Sequence, residues 1–266
     1  MNNFFDFNGG KIHYTCNGEG KPVVLLHGFL ESLNIWKDFE EKLSKTYKVV
    51  AIDLPGHGES SNYGSRVTME IMADAVKQLL QLLNIEKSVI IGHSMGGYVS
   101  LAFVRDYPNM AVGLGLFHSH AASDSAEAKI NRGRAIKVVE ENHIDFIAAF
   151  IPDLFCAKYR QDFNAEILLL QDDAKKMKKN GIIGALSGMR ERHDCTNLLK
   201  STQLPIMFII GKNDIRSPKE AIMNQIFMPK NSHILILEDV AHMGFIEAFD
   251  ETSNFLNSFI NECYLT

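Results

Sequence analysis

The sequence predicts an α/β fold built on a mostly parallel, doubly wound sheet, with a helical segment inserted before its last strands. Three observations carry that prediction. Apolar runs such as Pro22-Val23-Val24-Leu25-Leu26 and Ser88-Val89-Ile90-Ile91-Gly92 are continuous rather than alternating, as in strands buried on both faces. Segments of helical period separate them, which implies parallel strands joined by right-handed crossovers. From about His120 to Ser201 that rhythm stops and only helical periodicity remains.

In chain order, two short strand-like pieces, Phe4 to Phe7 and Ile12 to Cys16, precede a turn at Asn17-Gly18-Glu19-Gly20. Gly18 to Lys21 has the look of a phosphate loop, but Pro22 stands where that motif needs Ser or Thr opening a helix. The run from Pro22 to Gly28 is the first buried strand. A helix over Asn34 to Tyr47, a strand over Lys48 to Leu54 and a polar loop from Pro55 to Arg66 follow. Thr68 is placed to cap a helix whose Met72, Ala75, Val76, Leu79, Leu80 and Leu83 share one face. A strand over Ser88 to Gly92, a helix over Gly96 to Tyr107 and a strand over Ala111 to Phe117 complete the first part. After the helical segment come a strand from Leu204 to Gly211, a helix from Lys219 to Met228, a strand from His233 to Leu237 and a helix from Glu251 to Tyr264.

At 266 residues and a formal net charge of -5, the chain suits one α/β domain with an insertion and has no electrostatic footprint for nucleic acid or an anionic membrane. The basic run Lys175-Lys176-Met177-Lys178-Lys179 is expected to be a solvated helix face. Cys16, Cys156, Cys195 and Cys263 lack CxxC spacing, as free thiols of a reducing compartment would. The start, MNNFFDFNGGK, has neither a basic n-region nor a long apolar stretch, so the expectation is a cytoplasmic protein. Nothing in the sequence fixes an oligomeric state.

Open parallel sheets bind ligands at the carboxyl ends of their strands, so the residues found there are the candidates for chemistry. They are His27-Gly28-Phe29, Asp53-Leu54-Pro55-Gly56-His57-Gly58, Gly92-His93-Ser94-Met95-Gly96-Gly97, Gly211-Lys212-Asn213-Asp214 and Ala241-His242-Met243. A serine hydroxyl, a carboxylate and an imidazole occur in that order, each at a strand end. A serine hydroxyl is a weak nucleophile that needs a base, and the base needs an acid to fix its tautomer.

Through HGF, DLPGHGES, GHSMGG, GKND and AHMGF, the chain resembles α/β-hydrolase fold enzymes along almost its whole length. The resemblance implies a mostly parallel eight-stranded α/β-hydrolase sheet flanked by helices, with a helical cap inserted after strand 6. The core would then be residues 1–119 and 202–266 and the cap residues 120–201. It further implies Ser94 as nucleophile, His242 as base and Asp214 as acid, with Asp124 the alternative acid at the end of an earlier strand. The oxyanion hole would be the backbone N–H groups of Phe29 and Met95. Gly28, Gly96 and Gly97 would allow close backbone approach, and His27 and His57 would be structural hydrogen-bonding residues.

The substrate pocket is expected to be apolar, with its polar groups concentrated at Ser94 and with His118, Phe146, Phe150 and Met243 in its lining. Ile144, Ile147 and Ile151 form one stripe of the lid segment and Phe146 and Phe150 another. His118-Ser119-His120 has metal-ligand spacing, but Ala121-Ala122 follow where metallo-hydrolases carry Asp and His, so neither a metal nor a cofactor is expected. The partner is a small apolar ester, with thioesters and amides as further substrates. The runner-up activities are carbon–carbon bond hydrolysis and cofactor-free haloperoxidase or perhydrolase chemistry, and the non-enzymatic alternative is a ligand receptor on the same fold. Dehalogenases and epoxide hydrolases of the family use Asp where this chain has Ser94.

Overall fold

The structure, a computed structural model, describes residues 3–217 and 219–265; Met1, Asn2, Pro218 and Thr266 lie outside them. Its strands are β1 (Asn3–Phe7), β2 (Gly10–Asn17), β3 (Lys21–Leu26), β4 (Tyr47–Ile52), β5 (Ser88–His93), β6 (Ala111–Phe117), β7 (Ile206–Gly211) and β8 (Ser232–Leu237). Helices α1 (Lys37–Leu43), α2 (Met69–Leu82) and α3 (Met95–Asp106) fall between the early strands. Between β6 and β7 lie α4 (Ala126–Phe150), α5 (Asn164–Lys175), α6 (Lys179–Arg190) and α7 (Thr196–Ser201). Helices α8 (Lys219–Met223), α9 (Gly244–Glu247) and α10 (Phe249–Cys263) close the chain.

The strands form one 8-stranded sheet in the order β1-β2-β4-β3-β5-β6-β7-β8. The β1–β2 and β2–β4 pairs are antiparallel, and every pair from β4 through β8 is parallel. The continuous apolar runs are the reason: Val23–Leu26, Val49–Ile52, Val89–Ile91 and Ile206–Ile210 are buried on both faces. Strand order reverses at β3, which pairs with β4 on one side and β5 on the other. A crevice opens at such a switch point, and the chain leaving β3 and the chain leaving β5 flank it.

Helix α2 buries Met72, Ala75, Val76, Leu79 and Leu80, and its cap Thr68 accepts a hydrogen bond from the Ile71 amide at 3.3 Å. Elsewhere the periodicity overreached. The segment read as a helix from Asn34 opens as a 3₁₀ turn, Leu33–Trp36, capped by Ser32, and α1 stops at Leu43. The helix expected to reach Met228 ends at Met223, and Gln225 beyond it turns inward to accept the Ala121 amide at 2.7 Å. The basic run around Met177 is not one helix face, because it spans the end of α5 and the start of α6, and Met177 turns into the core between them. Helix α4 is broken at Asn142 (φ −150°, ψ 97°), whose side-chain oxygen caps the second half by accepting from the Ile144 and Asp145 amides. Among the described residues no helix is long and apolar enough to cross a membrane.

Candidate active site

Ser94 stands alone between β5 and α3, with φ 51° and ψ −114°. A non-glycine residue with positive φ is strained, and such strain persists only where its surroundings enforce it. Here the Ser94 amide donates to the Phe117 carbonyl at 2.9 Å, and the Ser94 carbonyl accepts from the Gly97 amide at 2.9 Å and the Ser119 hydroxyl at 2.8 Å. Gly96 completes the bend, since a Cβ there would collide with the Leu26 and His27 carbonyls at the end of β3.

His242, in the loop after β8, places Nε2 2.8 Å from the Ser94 Oγ and Nδ1 2.7 Å from the Asp214 Oδ2. The three side chains come from the ends of β5, β7 and β8, as the strand-end placement anticipated. Asp214 is buried; burial opposes its charge, but the adjacent His242 and His118 hold the carboxyl well below the usual carboxylate range. Its other oxygen accepts the amides of Arg216 at 2.8 Å and Ser217 at 3.0 Å. The His242 loop is stapled by Glu247, whose carboxylate accepts the amides of Ala241, Met243 and Cys156. The His242 amide itself donates to the Leu154 carbonyl at 2.9 Å, which ties the loop to the helical segment.

Behind this array lies a buried pair that the sequence did not announce. His93 Nδ1 is 3.0 Å from Glu31 Oε2, and His93 Nε2 is 2.9 Å from the His242 carbonyl oxygen. The His242 carbonyl can only accept, and with Glu31 ionised both ring nitrogens donate, the pattern of an imidazolium. Burial opposes both charges, yet the pairing raises the His93 pKa and lowers that of Glu31. Glu31 also accepts the Gly28 amide at 2.5 Å, and a Cβ on Gly28 would strike that carboxylate and the His93 ring.

Met95 opens α3, where amides have no partner within the helix and the helix dipole favours negative charge. Phe29 follows Gly28 in the chain leaving β3, and Leu30 after it has φ 62°. Phe29 thus follows β3 and Met95 follows β5, the two neighbouring strands at the switch point. A cavity of about 380 Å³ adjoins Ser94 and His242. Phe29, Phe146 and Phe150 make its aromatic wall, with Phe146 stacked on Phe150 at 5.4 Å between centroids and Phe29 edge-on to Phe150 at 5.6 Å. Leu154, Leu186 and Met189 extend the apolar lining.

Several expectations are corrected here. The cavity is mainly apolar, but its polar groups are not confined to Ser94, because Asn131, Arg132 and Arg216 also line it. His118 and Met243 are fully buried and do not line it. His118 adopts φ 48°, which turns its ring behind Asp214, 3.4 Å from Oδ2, and burial pulls its pKa down to about 4. His120 packs edge-on against Tyr98, so the two histidines of the His118-Ser119-His120 triplet serve different neighbours. His118, Asp214 and His242 do have potential ligand atoms within 4.8 Å of one another, but His242 Nδ1 and Asp214 Oδ2 are hydrogen-bonded to each other. Asp124 is held by Arg132 and Arg192 and touches neither His242 nor Ser94. His27 accepts the Leu54 amide through Nε2 at 2.9 Å and, through Nδ1, reaches the Gly28 carbonyl at 2.8 Å. Ile144 is exposed, whereas Ile147 and Ile151 join the core.

The fold and the serine–histidine–aspartate array define the class: over residues 21–249 the chain matches the α/β hydrolase fold family, and it belongs to that family. A thermophilic esterase from Thermogutta terrifontis, solved with malate bound, superposes with a TM-score of 0.92 at 30% identity over 99% of both chains. The chain is 28% identical over 269 residues to a dihydrolipoyllysine-residue acetyltransferase component of an acetoin cleaving system from Pseudomonas putida, covering 96% of this chain and 68% of that protein. It is 33% identical over 143 residues to (E)-2-((N-methylformamido)methylene)succinate hydrolase of Acinetobacter baylyi, spanning 52% of each chain.

Proposed function

We propose that the protein is a serine hydrolase that cleaves small carboxylic esters through an acyl-enzyme on Ser94. The observation that carries this reading is the continuous relay from Ser94 Oγ through His242, 2.8 Å away, to Asp214, 2.7 Å beyond. Ser94 Oγ attacks the ester carbonyl while His242 Nε2 takes its proton; the carbonyl electrons move to oxygen, and the oxyanion accepts the amides of Phe29 and Met95. When the intermediate collapses, the ester C–O bond breaks and His242 returns the proton to the leaving alcohol. Water then repeats the sequence on the acyl-enzyme, releasing the acid and restoring Ser94. Asp214 keeps the proton of His242 on Nδ1 and stabilises the imidazolium formed at each step. Residues 120–201 act as a cap that supplies the acyl pocket through Phe146, Phe150, Leu186 and Met189. Thioesters and small amides present the same carbonyl and belong to the substrate range to be surveyed.

The test is a fluorophosphonate probe followed by a panel of acyl esters and amides. The probe should label the protein once, on Ser94, and Ser94→Ala should lose on the order of a millionfold in turnover. An adduct on another residue, or an active alanine variant, would remove this mechanism.

A further inference from the structure

The polar wall of the cavity carries more positive charge than its neighbours neutralise. Asp124 lies between two guanidiniums, Arg132 at 2.5 Å and the buried Arg192, so that cluster has one carboxylate for two cations. Arg192 is spent inside it, stacked 3.9 Å over the Tyr98 ring and donating to the Met189 and Ala122 carbonyls. Arg132 faces the cavity.

Arg216 is less committed still. Its guanidinium lies 4.2 Å over the Phe150 ring and, among the described residues, has neither a hydrogen-bond partner nor an ion pair. Asp153 and Asp214 act on the Arg216 guanidinium through their charge alone, and Asp153 is itself paired with Arg160 at 3.1 Å. Arg216 is exposed and also lines the cavity, which puts it at the opening. The backbone places it firmly, because its amide is held by the Asp214 carboxylate at 2.8 Å, two residues from the acid of the relay. Among the described residues the one carboxylate in the cavity wall, Glu31, is already engaged by His93 and the Gly28 amide.

We propose that Arg216, with Arg132 and Asn131, forms a subsite for a carboxylate carried by the substrate, so that the preferred esters are acidic ones such as half-esters of short dicarboxylic acids. A guanidinium with its N–H donors unengaged matches the two oxygens of a carboxylate, and the aromatic face beneath it restricts its orientation. The scissile carbonyl sits at Ser94 and the free carboxylate points toward the opening. This deepens the esterase reading and rests on it for the position of the carbonyl, but the anion site itself is testable apart from turnover.

The experiment compares monomethyl glutarate with methyl valerate, of equal chain length, on the wild-type protein and on Arg216→Gln, Arg216→Lys and Arg132→Gln. The wild type should favour the acidic ester in kcat/KM, and the preference should fall by on the order of tenfold or more in Arg216→Gln, the scale of one charged hydrogen-bonded pair. Arg216→Lys should keep part of it, and added salt should shrink it. Equal or better use of the neutral ester by the wild type, or a preference that survives both arginine replacements, overturns the subsite. If neither ester is cleaved and the fluorophosphonate leaves Ser94 unlabelled, the esterase reading has failed instead. Calorimetric titration of the wild type and Arg216→Gln with glutarate then decides the subsite alone: binding that requires Arg216 upholds it, and absence of binding overturns it.

Discussion

Glu31 and His93 form a buried ion pair whose second arm, from His93 Nε2 to the His242 carbonyl at 2.9 Å, reaches the backbone of the candidate base. One carboxylate therefore holds both the Gly28 amide, next to Phe29, and, through His93, the loop that presents His242. The chain leaving β3 and the loop after β8 are held by a single group.

Breaking this pair should be costly. Glu31→Gln leaves a buried imidazolium with a weaker acceptor, and Glu31→Ala leaves it unpaired, for which about 3–5 kcal/mol of stability is the usual loss. Chemical denaturation measures it, and a Glu31→Ala protein within about 0.5 kcal/mol of the wild type would show the pair to be ornamental.

Asp214 and Asp124 should separate cleanly. Asp214→Asn should lower turnover by roughly 10⁴ through loss of tautomer control over His242. Asp124→Asn should act on stability, since it leaves Arg132 and Arg192 facing one another without their shared carboxylate. Steady-state kinetics and thermal melts on both variants check this, and a larger kinetic loss for Asp124→Asn would relocate the acid.

Stability should peak near pH 6.5 as far as the histidines decide it. Burial lowers the pKa of His118 and His120 to about 4 and that of His57 to about 3, so below 6.5 the unfolded chain binds protons that the folded one refuses. The stability these rings contribute is present above 6.5 and is lost as pH falls, at up to about 1.4 kcal/mol per pH unit for each ring. His13, raised chiefly by its hydrogen bond to Asp53, and His93, raised by Glu31 against its burial, act oppositely. Their contribution is complete below 6.5 and lost as pH rises through their folded values. Urea titrations from pH 4.5 to 8 would expose the maximum, and a flat profile below 6.5 would contradict it.

Phe150 should set acyl length. Each methylene that finds room is worth up to about 0.8 kcal/mol, so kcat/KM for nitrophenyl esters should rise beyond acetate and then fall as the cavity fills. Phe150→Ala should move the optimum to longer chains and remove the ring beneath Arg216. A best substrate of palmitate length in the wild type would instead indicate a lipase-like site.

Ser94, His242 and Asp214 were legible as candidates because each follows the carboxyl end of a strand, and the sheet alone brings strand ends together. Strands β3 to β7 were legible because their apolar runs are continuous and buried, whereas the edge strand β8 alternates between covered and exposed residues. Glu31 and Arg216 were not, although they stand only two residues from Phe29 and Asp214. What sets them apart is what they meet across space, the His93 ring in one case and the Phe150 ring in the other. His118 misled because one residue past a strand end the backbone direction is free, and its left-handed φ sends the ring behind the acid instead of into the cavity. Met243 is an ordinary apolar side chain whose burial no motif distinguishes from pocket lining.

The break in α4 at Asn142 divides the two walls of the cavity between separately founded pieces of one helix. Asn131 and Arg132 stand before it, Phe146 and Phe150 after it, and Asn142 restarts the hydrogen-bonding between them. In an unbroken helix, one inserted residue would swing everything downstream by about 100°. Here an insertion or deletion next to Asn142 can be absorbed at the joint, so the charged and aromatic walls can diversify independently. Each half of the helix can thus change its face toward the cavity without resetting the register of the other.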